Sequence, residues 1–467
     1  MRFDLAVTGG VLVDPDWGTI PGNLGISDGR ISALTAPDQE LDADETIDAT
    51  GLVVMPGVVD PHTHLGFAGS FEADLETETR SAALGGVTSV LSFHRQYQGA
   101  DPAPYDELPE LIEAVNAAST VDVGLHFGML AESQVREIPE YAARGVTSHK
   151  FYMAYRGADG ATVGMVNECD DGLLLEGLEL LAGQGGVACI HAENTEIVTR
   201  TMRRVRESGA AGLRAWSDAR PALAEAENIG RVDFLARRAG AQVYLVHIGS
   251  RESLDAARRV RATGGRTWVE TCSHYLTHTY DDDAGPLAKI NPPVRTEDDI
   301  EAMWQGLIDG DVDTVGTDHC AVPLARKKGD IWSAAAGFPG MATTLPVLLS
   351  EGHHRRGMSL RRIAQVLSGN AAAIFGLPGK GSLRVGSDAD LVLCDLDAER
   401  VVDHTALGGS SGYSILEGRT LRGWPVRTVL RGRTIAADGR ITGGPHGRFL
   451  SRVPGNAPAL PRTPVLP

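Results

Sequence analysis

The middle of the chain repeats one pattern, a short apolar run followed by a longer stretch with helical spacing of its apolar residues. Eight such runs occur in succession, and most of the helical stretches end in glycine, the residue preferred just after a helix. Eight strands, each followed by a helix, predict an α/β fold of the closed (β/α)₈ TIM-type barrel class. The runs occupy residues 58–64, 88–93, 122–129, 147–153, 187–194, 242–248, 267–276 and 313–319.

A doubly wound open sheet is the competing fold for a chain that alternates strands and helices. Eight repeats in a row favour closure into a barrel over an open sheet. No Gly-x-Gly-x-x-Gly sequence follows the first run, which removes the dinucleotide-binding variant of the open fold.

The two ends of the chain have a different pattern, in which apolar and polar residues alternate with a period near two between turn residues. This alternation predicts one small β-sandwich domain built from both termini. We expect its N-terminal part over residues 1–56, the barrel over 57–375 and its C-terminal part over 376–450. The last residues, 451–467, form a proline-rich tail that we expect to be extended or disordered.

Composition narrows the functional classes. The 467 residues carry a formal net charge of −18, and an acidic chain is a poor partner for nucleic acid or anionic lipid. Five scattered cysteines without a Cys-x-x-Cys pair argue against a disulfide framework and a thiolate zinc site. No apolar run approaches the roughly 18 residues of a membrane span, so we expect no membrane partner and a cytoplasmic location.

Metal-ligating residue types recur at the ends of the predicted strands, which is where barrel enzymes carry their chemistry. Residues two apart on a strand point to the same face, so the His-x-His of the first strand can direct two imidazoles at one ion. A single strand-end histidine is more often a loop or core residue, but recurrence at several strand ends favours a metal site. Imidazole and carboxylate ligands suit Zn²⁺ first, with Mn²⁺, Co²⁺ or Fe²⁺ as alternatives. The residues are His62, His64, Lys150, His191, His247 and Asp318.

Lys150 is the unusual member of this set, because an ammonium group repels metal ions. Its neutral amine can add CO₂ to give a carbamate, which has the geometry and charge of a carboxylate and can bridge two metals. A buried ion-pair lysine is the alternative, and the sequence leaves both open. The formal charge of such a site is roughly +1, the sum over two divalent ions, the carbamate, Asp318 and a hydroxide. A site of this charge favours a neutral substrate that becomes anionic during acyl transfer to water.

Six segments in succession resemble the motifs of one enzyme family, the cyclic amidohydrolases, which comprise hydantoinases, dihydropyrimidinases, allantoinases and dihydroorotases. The resemblance covers nearly the whole chain and implies a barrel with a binuclear metal centre and a β-sandwich from both termini. The segments are PGVVDPHTHL, HKFYMAY, IHAEN, ETCSHYL, INPPVR and GTDHC.

The resemblance also implies a role for each residue. His62, His64 and Asp318 would hold one metal, His191 and His247 the other, and carboxylated Lys150 would bridge them. A metal-bridging hydroxide would attack the ring amide. Asp318 would take its proton and deliver it to the leaving nitrogen, Tyr155 would stabilise the oxyanion, and Asn291 would offer backbone groups to the ring imide.

Smaller differences between the motifs of the family members indicate the substrate. Tyr155, five residues after Lys150, favours ring opening of a hydantoin or dihydropyrimidine, while the CSHYL and LPVLL segments resemble allantoinase, the alternative. Leu65 and Gly66 stand where dihydroorotases carry an arginine, which disfavours dihydroorotate. Some relatives lack metal ligands and act as oligomeric scaffolds, but the complete ligand set argues for an enzyme. Family likeness implies a homodimer or homotetramer.

Overall fold

A computed structural model describes residues 2–96 and 103–453, and these form an eight-stranded barrel and a separate sheet. Residues 454–467, most of the predicted tail, lie outside the described residues. In chain order the strands are β1 (Phe3–Asp14), β2 (Gly18–Ser27), β3 (Arg30–Thr35), β4 (Ala43–Asp48), β5 (Val53–Pro56), β6 (Val58–Thr63), β7 (Val87–His94), β8 (Asp122–Gly128), β9 (Ser148–Tyr152), β10 (Val187–His191), β11 (Gln242–Leu245), β12 (Thr267–Cys272), β13 (Thr314–Gly316), β14 (Leu391–Val401), β15 (Thr420–Leu430), β16 (Arg433–Ala437) and β17 (Arg440–Ile441).

The strands β6 to β13 are parallel and follow one another around the barrel in chain order. Each of the eight apolar runs overlaps one of these strands, so the predicted fold class is confirmed. The circle closes where Thr63 pairs with His319 and the His64 N–H donates to the His319 carbonyl oxygen over 2.8 Å. The buried Asp60 carboxylate reinforces this closure by accepting a hydrogen bond from the Thr317 hydroxyl over 2.6 Å.

Helices cover the outside of the barrel and begin and end at local sequence signals. Thr296 and Asp299 form a reciprocal capping box at the start of the helix Glu297–Asp309. Three helices end at a glycine in the left-handed conformation, which glycine adopts without strain: Asp171–Gln184 at Gly185, Ala222–Ala239 at Gly240 and Glu297–Asp309 at Gly310. In chain order the helices are α1 (Phe71–Leu84), α2 (Leu108–Ala118), α3 (Glu132–Arg136), α4 (Ile138–Ala143), α5 (Ala158–Thr162), α6 (Asp171–Gln184), α7 (Thr195–Glu207), α8 (Gly212–Ala219), α9 (Ala222–Ala239), α10 (Arg251–Ala262), α11 (Glu297–Asp309), α12 (Thr344–Val347), α13 (Leu360–Ala364) and α14 (Asn370–Ile374).

Short helical turns of 3₁₀ type span Ser273–Leu276, Gly285–Ala288, Leu324–Lys327 and His404–Ala406. Two π-helical segments, Leu348–His354 and Gln365–Gly369, directly continue α12 and α13. Within the described ranges, no helix combines the length and the apolar character needed to cross a bilayer.

The second sheet is built from both ends of the chain, as the alternating patterns predicted. Its order is β17-β16-β15-β14-β5-β1-β2-β3, with β4 also paired to β1. The two ends meet where β14 runs antiparallel to β5, with Leu393 opposite Val54. The buried Lys380 ammonium lies 2.6 Å from both Asp122 of β8 and Asp390, and so ties this sheet to the barrel. The exact domain boundaries given above stay predictions.

Candidate metal centre

Two histidines and a carboxylate converge where the barrel closes. His62 and His64 lie at the end of β6, and Asp318 follows β13. Asp318 Oδ1 lies 3.1 Å from His62 Nε2 and 3.0 Å from His64 Nε2, and the two Nε2 atoms are 3.3 Å apart. Zinc–nitrogen bonds of about 2.0–2.1 Å in tetrahedral geometry place neighbouring ligand atoms about 3.3 Å apart. The triangle therefore has the size of one face of a tetrahedral zinc site.

Two further histidines face each other, His191 as the last residue of β10 and His247 two residues after β11. His191 Nδ1 lies 2.9 Å from His247 Nε2, and the His247 ring centre lies 5.5 Å from that of His62. Two groups of ligand atoms thus lie side by side in the mouth of the barrel. Burial lowers the pKa of His64 to about 4 and that of His247 well below its usual value, so these rings are neutral and able to bind metal.

Lys150 lies on β9 and is buried at the same mouth. Its Nζ atom is 4.5 Å from the centre of the Phe93 ring, against which His62 also packs. Among residues 2–96 and 103–453, no carboxylate oxygen lies within 4.0 Å of this ammonium, so the buried ion pair considered above has no partner there. Burial lowers the pKa of Lys150 to about 8, which increases the share of neutral amine.

Two buried glutamates determine which ring nitrogen each histidine turns to the mouth. Glu270 on β12 accepts a hydrogen bond from His62 Nδ1 over 2.7 Å, and Glu193 accepts one from His191 Nε2 over 2.7 Å. A ring nitrogen that donates to a carboxylate leaves the other nitrogen of a neutral imidazole with a free lone pair. The free atoms are His62 Nε2 and His191 Nδ1, the same atoms that face the other proposed ligands.

Three residues of the mouth have a left-handed backbone. The φ angles are 61° at Tyr155, 46° at His247 and 48° at Asp318, and these are three of only six non-glycine residues with positive φ in the described part of the chain. Such conformations cost energy and persist only where the surroundings hold them, most often at functional sites. The sequence contains no local signal for them.

Tyr155 and Asn291 lie beside the second pair of histidines. The Tyr155 ring centre is 4.8 Å from that of His191, and burial raises the pKa of Tyr155 well above its usual value, with a hydrogen bond to the Asn291 side chain acting against the shift. Asn291 Oδ1 also accepts a hydrogen bond from Trp216 Nε1 over 3.1 Å. The tyrosine is therefore a protonated hydrogen-bond donor at neutral pH, held next to the candidate ligands.

Comparison with known proteins decides the family. The pattern of the Amidohydrolase family matches residues 53–435. The chain belongs to the amidohydrolase family. This family is metal-dependent, and His62, His64 and Asp318 form a group that can hold a metal ion. The motif resemblance found in the sequence is confirmed.

Individual relatives of this amidohydrolase match it over nearly their whole length. An allantoinase from Rubrobacter xylanophilus is 37% identical over 454 residues, which cover 96% of this chain and 97% of the relative. An L-hydantoinase from Paenarthrobacter aurescens is 32% identical over 466 residues, which cover 96% and 98%. A solved L-hydantoinase (dihydropyrimidinase) from Arthrobacter aurescens superposes with a TM-score of 0.90 at 31% identity, and the match covers 96% of this chain and 100% of that one.

The structure of this amidohydrolase brings all eight predicted site residues to the mouth and adds partners that the sequence reasoning missed. Glu193 and Glu270 stood inside the quoted motifs IHAEN and ETCSHYL without an assigned role. His319 follows Asp318 in the chain, and its Nε2 atom lies 3.1 Å from Oε2 of Glu78 in α1. The ligand, proton-transfer and oxyanion roles of the eight residues stay predictions.

Proposed function

We propose that this amidohydrolase opens a cyclic amide ring by hydrolysis, with a hydantoin or dihydropyrimidine as the substrate. The observation that carries the proposal is the pair of ligand groups in the mouth, His62, His64 and Asp318 on one side and His191 and His247 on the other. The imidazoles in their neutral form and the carboxylate suit two divalent ions, zinc first, and His62 reaches that form when a metal displaces its proton. When bound, such ions supply a nucleophilic water at neutral pH and polarise a carbonyl.

Lys150 completes the proposed ligand set as a carbamate. A buried ammonium without a carboxylate partner is costly. The neutral amine can instead form a nitrogen–carbon bond to CO₂ and release one proton to solvent, which gives a carbamate anion that suits two cations. The pKa of about 8 that burial gives the amine supports this reaction, because a protonated amine cannot add CO₂. The carbamate, like the metal identity, is part of the proposal.

The chain's own residues then handle the proton and the developing charge. Asp318 takes the proton of the attacking water and returns it to the ring nitrogen that leaves; His62 and His64 hold its pKa well below the usual value against the effect of burial, so it starts ionised. The Tyr155 hydroxyl donates a hydrogen bond to the carbonyl oxygen as it becomes anionic. Asn291 offers backbone groups to the ring imide.

Allantoin is the second candidate substrate. It is itself a hydantoin that carries a ureido substituent, so the same ring chemistry opens it. The relatives support this candidate, because allantoinases from Rubrobacter xylanophilus and Solibacter usitatus are 37% and 36% identical to this chain, while the hydantoinases from Paenarthrobacter aurescens and Ralstonia pickettii are each 32% identical.

A panel of hydantoin, dihydrouracil, allantoin and dihydroorotate tests the proposal on zinc-loaded protein. We expect ring opening of hydantoin, dihydrouracil or allantoin, no turnover of dihydroorotate, and about two metals per chain. Asp318→Asn is the matched negative control. Absence of turnover on all four rings would contradict the proposed function, and absence of metal as well would favour a catalytically silent scaffold. A homodimer or homotetramer in the cytoplasm remains our expectation for the assembly and location.

A further inference from the structure

We propose that Arg220 is a positioning residue that couples the candidate metal ligand His191 to the segment carrying Tyr155. The proposal rests on the proposed function for the roles of those two residues. Arg220 follows α8, and its side chain is 0% exposed. Glu193, after β10, and Asp159, in α5, both pair with its guanidinium.

The contacts toward His191 run through Glu193. Arg220 Nη2 donates to Glu193 Oε2 over 2.6 Å, and Arg220 Nε lies 3.2 Å from both oxygens of that carboxylate. Oε2 also accepts the hydrogen bond from His191 Nε2 over 2.7 Å. The Glu193 carboxylate thus accepts hydrogen bonds from both the Arg220 guanidinium and the His191 ring. With Nε2 engaged in this bond, His191 presents Nδ1 to the mouth.

The contacts toward Tyr155 run through Asp159. Arg220 Nη1 donates to Asp159 Oδ1 over 3.1 Å, and Asp159 Oδ2 accepts the Tyr155 backbone N–H over 3.2 Å. The guanidinium carbon also lies 5.3 Å from the centre of the Tyr155 ring. The Arg220 side chain thus contacts the ring of Tyr155, and it also holds the Asp159 carboxylate, which binds the strained backbone of Tyr155.

The chemistry of these bonds requires an arginine between two carboxylates. The planar fork of N–H donors binds both oxygens of Glu193 and still reaches Asp159, and the ammonium of a lysine does not reproduce this bidentate geometry. On each carboxylate, every partner described here is a donor. An isosteric amide would therefore turn its NH₂ toward another donor and lose at least one hydrogen bond.

Two measurements that do not use turnover distinguish the contacts of Arg220 with Glu193 from its contacts with Asp159. The affinity for the second zinc ion, titrated against a chelator, reports on His191. The rate of tryptic cleavage between Arg156 and Gly157, followed by mass spectrometry, reports on the Tyr155 segment, since the Arg156 side chain is 35% exposed. Neither readout depends on the substrate. Absence of turnover of all four cyclic substrates would therefore overturn the proposed function, but zinc affinity and tryptic cleavage would still test the role of Arg220.

We expect Glu193→Gln to weaken the second zinc about 10- to 100-fold with tryptic cleavage unchanged. Asp159→Asn should accelerate cleavage about tenfold or more with zinc affinity unchanged, and Arg220→Met should change both. Arg261→Met is the control, because Arg261 pairs with Asp313 at the opposite end of the barrel.

The proposal is overturned if Arg220→Met alters only one readout, or alters neither beyond the Arg261→Met control. If Arg220 had a purely structural role, both arginine variants would have a lower melting temperature, and Arg220→Met would have the same zinc affinity and the same cleavage rate as Arg261→Met. If Arg220→Met does not fold, Arg220→Lys keeps a buried cation without the fork. We then expect at least one readout to change, and wild-type values of both would overturn the proposal.

Discussion

Replacement of Tyr155 by phenylalanine is the sharpest test of the proposed chemistry, because it removes one oxygen from a buried mouth and keeps the ring. The Tyr155 side chain is 7% exposed and lies against His191. Its pKa is raised well above the usual value, chiefly by burial, so the hydroxyl stays protonated through neutral and mildly alkaline pH. The variant therefore deletes a hydrogen-bond donor and changes no charge.

The expected loss follows from where that donor acts. Removal of one donor to a developing oxyanion typically lowers kcat by about 10²–10³, or about 2.7–4 kcal/mol in the activation free energy. In the substrate-free protein the hydroxyl interacts with the neutral Asn291 side chain, and a neutral hydrogen bond contributes about 1 kcal/mol. We thus expect kcat to fall by about two to three decades, KM to change little, and the zinc content to remain at the wild-type level.

Steady-state kinetics with the best substrate of the panel, together with metal analysis, measure these quantities. Tyr141→Phe is a matched control: Tyr141, in α4, is also buried, and its hydroxyl accepts a hydrogen bond from the Tyr105 N–H over 3.1 Å. We expect that control to lose some stability and to keep its kcat. A change of less than threefold in kcat for Tyr155→Phe would make Tyr155 a packing residue and refute the reasoning.

Three further predictions test the metal ligands. Lys150→Ala should lose the two-metal arrangement and nearly all activity, with partial rescue by acetate or propionate; a free ammonium beside two occupied metal sites in a crystal structure would contradict the carbamate. Asp318→Asn should lower kcat by about 10⁴ or more, because it removes both a base and a ligand, and near-normal turnover with full metal content would refute its role. Burial alone would lower the pKa of His62, but Glu270 and Asp318 outweigh it and raise the pKa above 6.5. Zinc must displace that proton, so zinc affinity should rise about tenfold per pH unit below the His62 pKa, and competition titrations that show no pH dependence would contradict this.

The barrel was predictable from the sequence because its signal is local and repeated. Each of the eight apolar runs overlaps a strand, and the glycine that ends α9 or α11 lies within the pattern itself. The ligands were predictable for the same reason, since a barrel brings the carboxyl ends of its parallel strands to one mouth. Knowing which residues end the strands was enough to bring His62 and Asp318 together across 256 residues of chain.

The partners behind the ligands were not predictable, because their contacts join distant segments through buried side chains without any periodic signal. Glu270 contacts His62 over a separation of 208 residues, and Arg220 contacts Asp159 over 61. The local sequence around a glutamate inside an apolar strand, or around an arginine after a short helix, does not indicate which distant residue it will contact. The choice of Nδ1 or Nε2 by each histidine depends on these contacts and follows from the folded structure alone.

The carboxylates that orient the mouth also hold its strained backbone. His247 has a φ of 46°, and its N–H donates to Glu270 Oε1 over 2.8 Å, the atom that also fixes the His62 ring. Tyr155 has a φ of 61°, and its N–H donates to Asp159, which Arg220 holds. Strain of this kind persists only where several contacts oppose its release. On one side of the mouth, a single Glu270 oxygen therefore serves both ligand geometry and backbone strain. On the other side the two tasks are divided between Glu193 and Asp159, and Arg220 is the side chain that binds both.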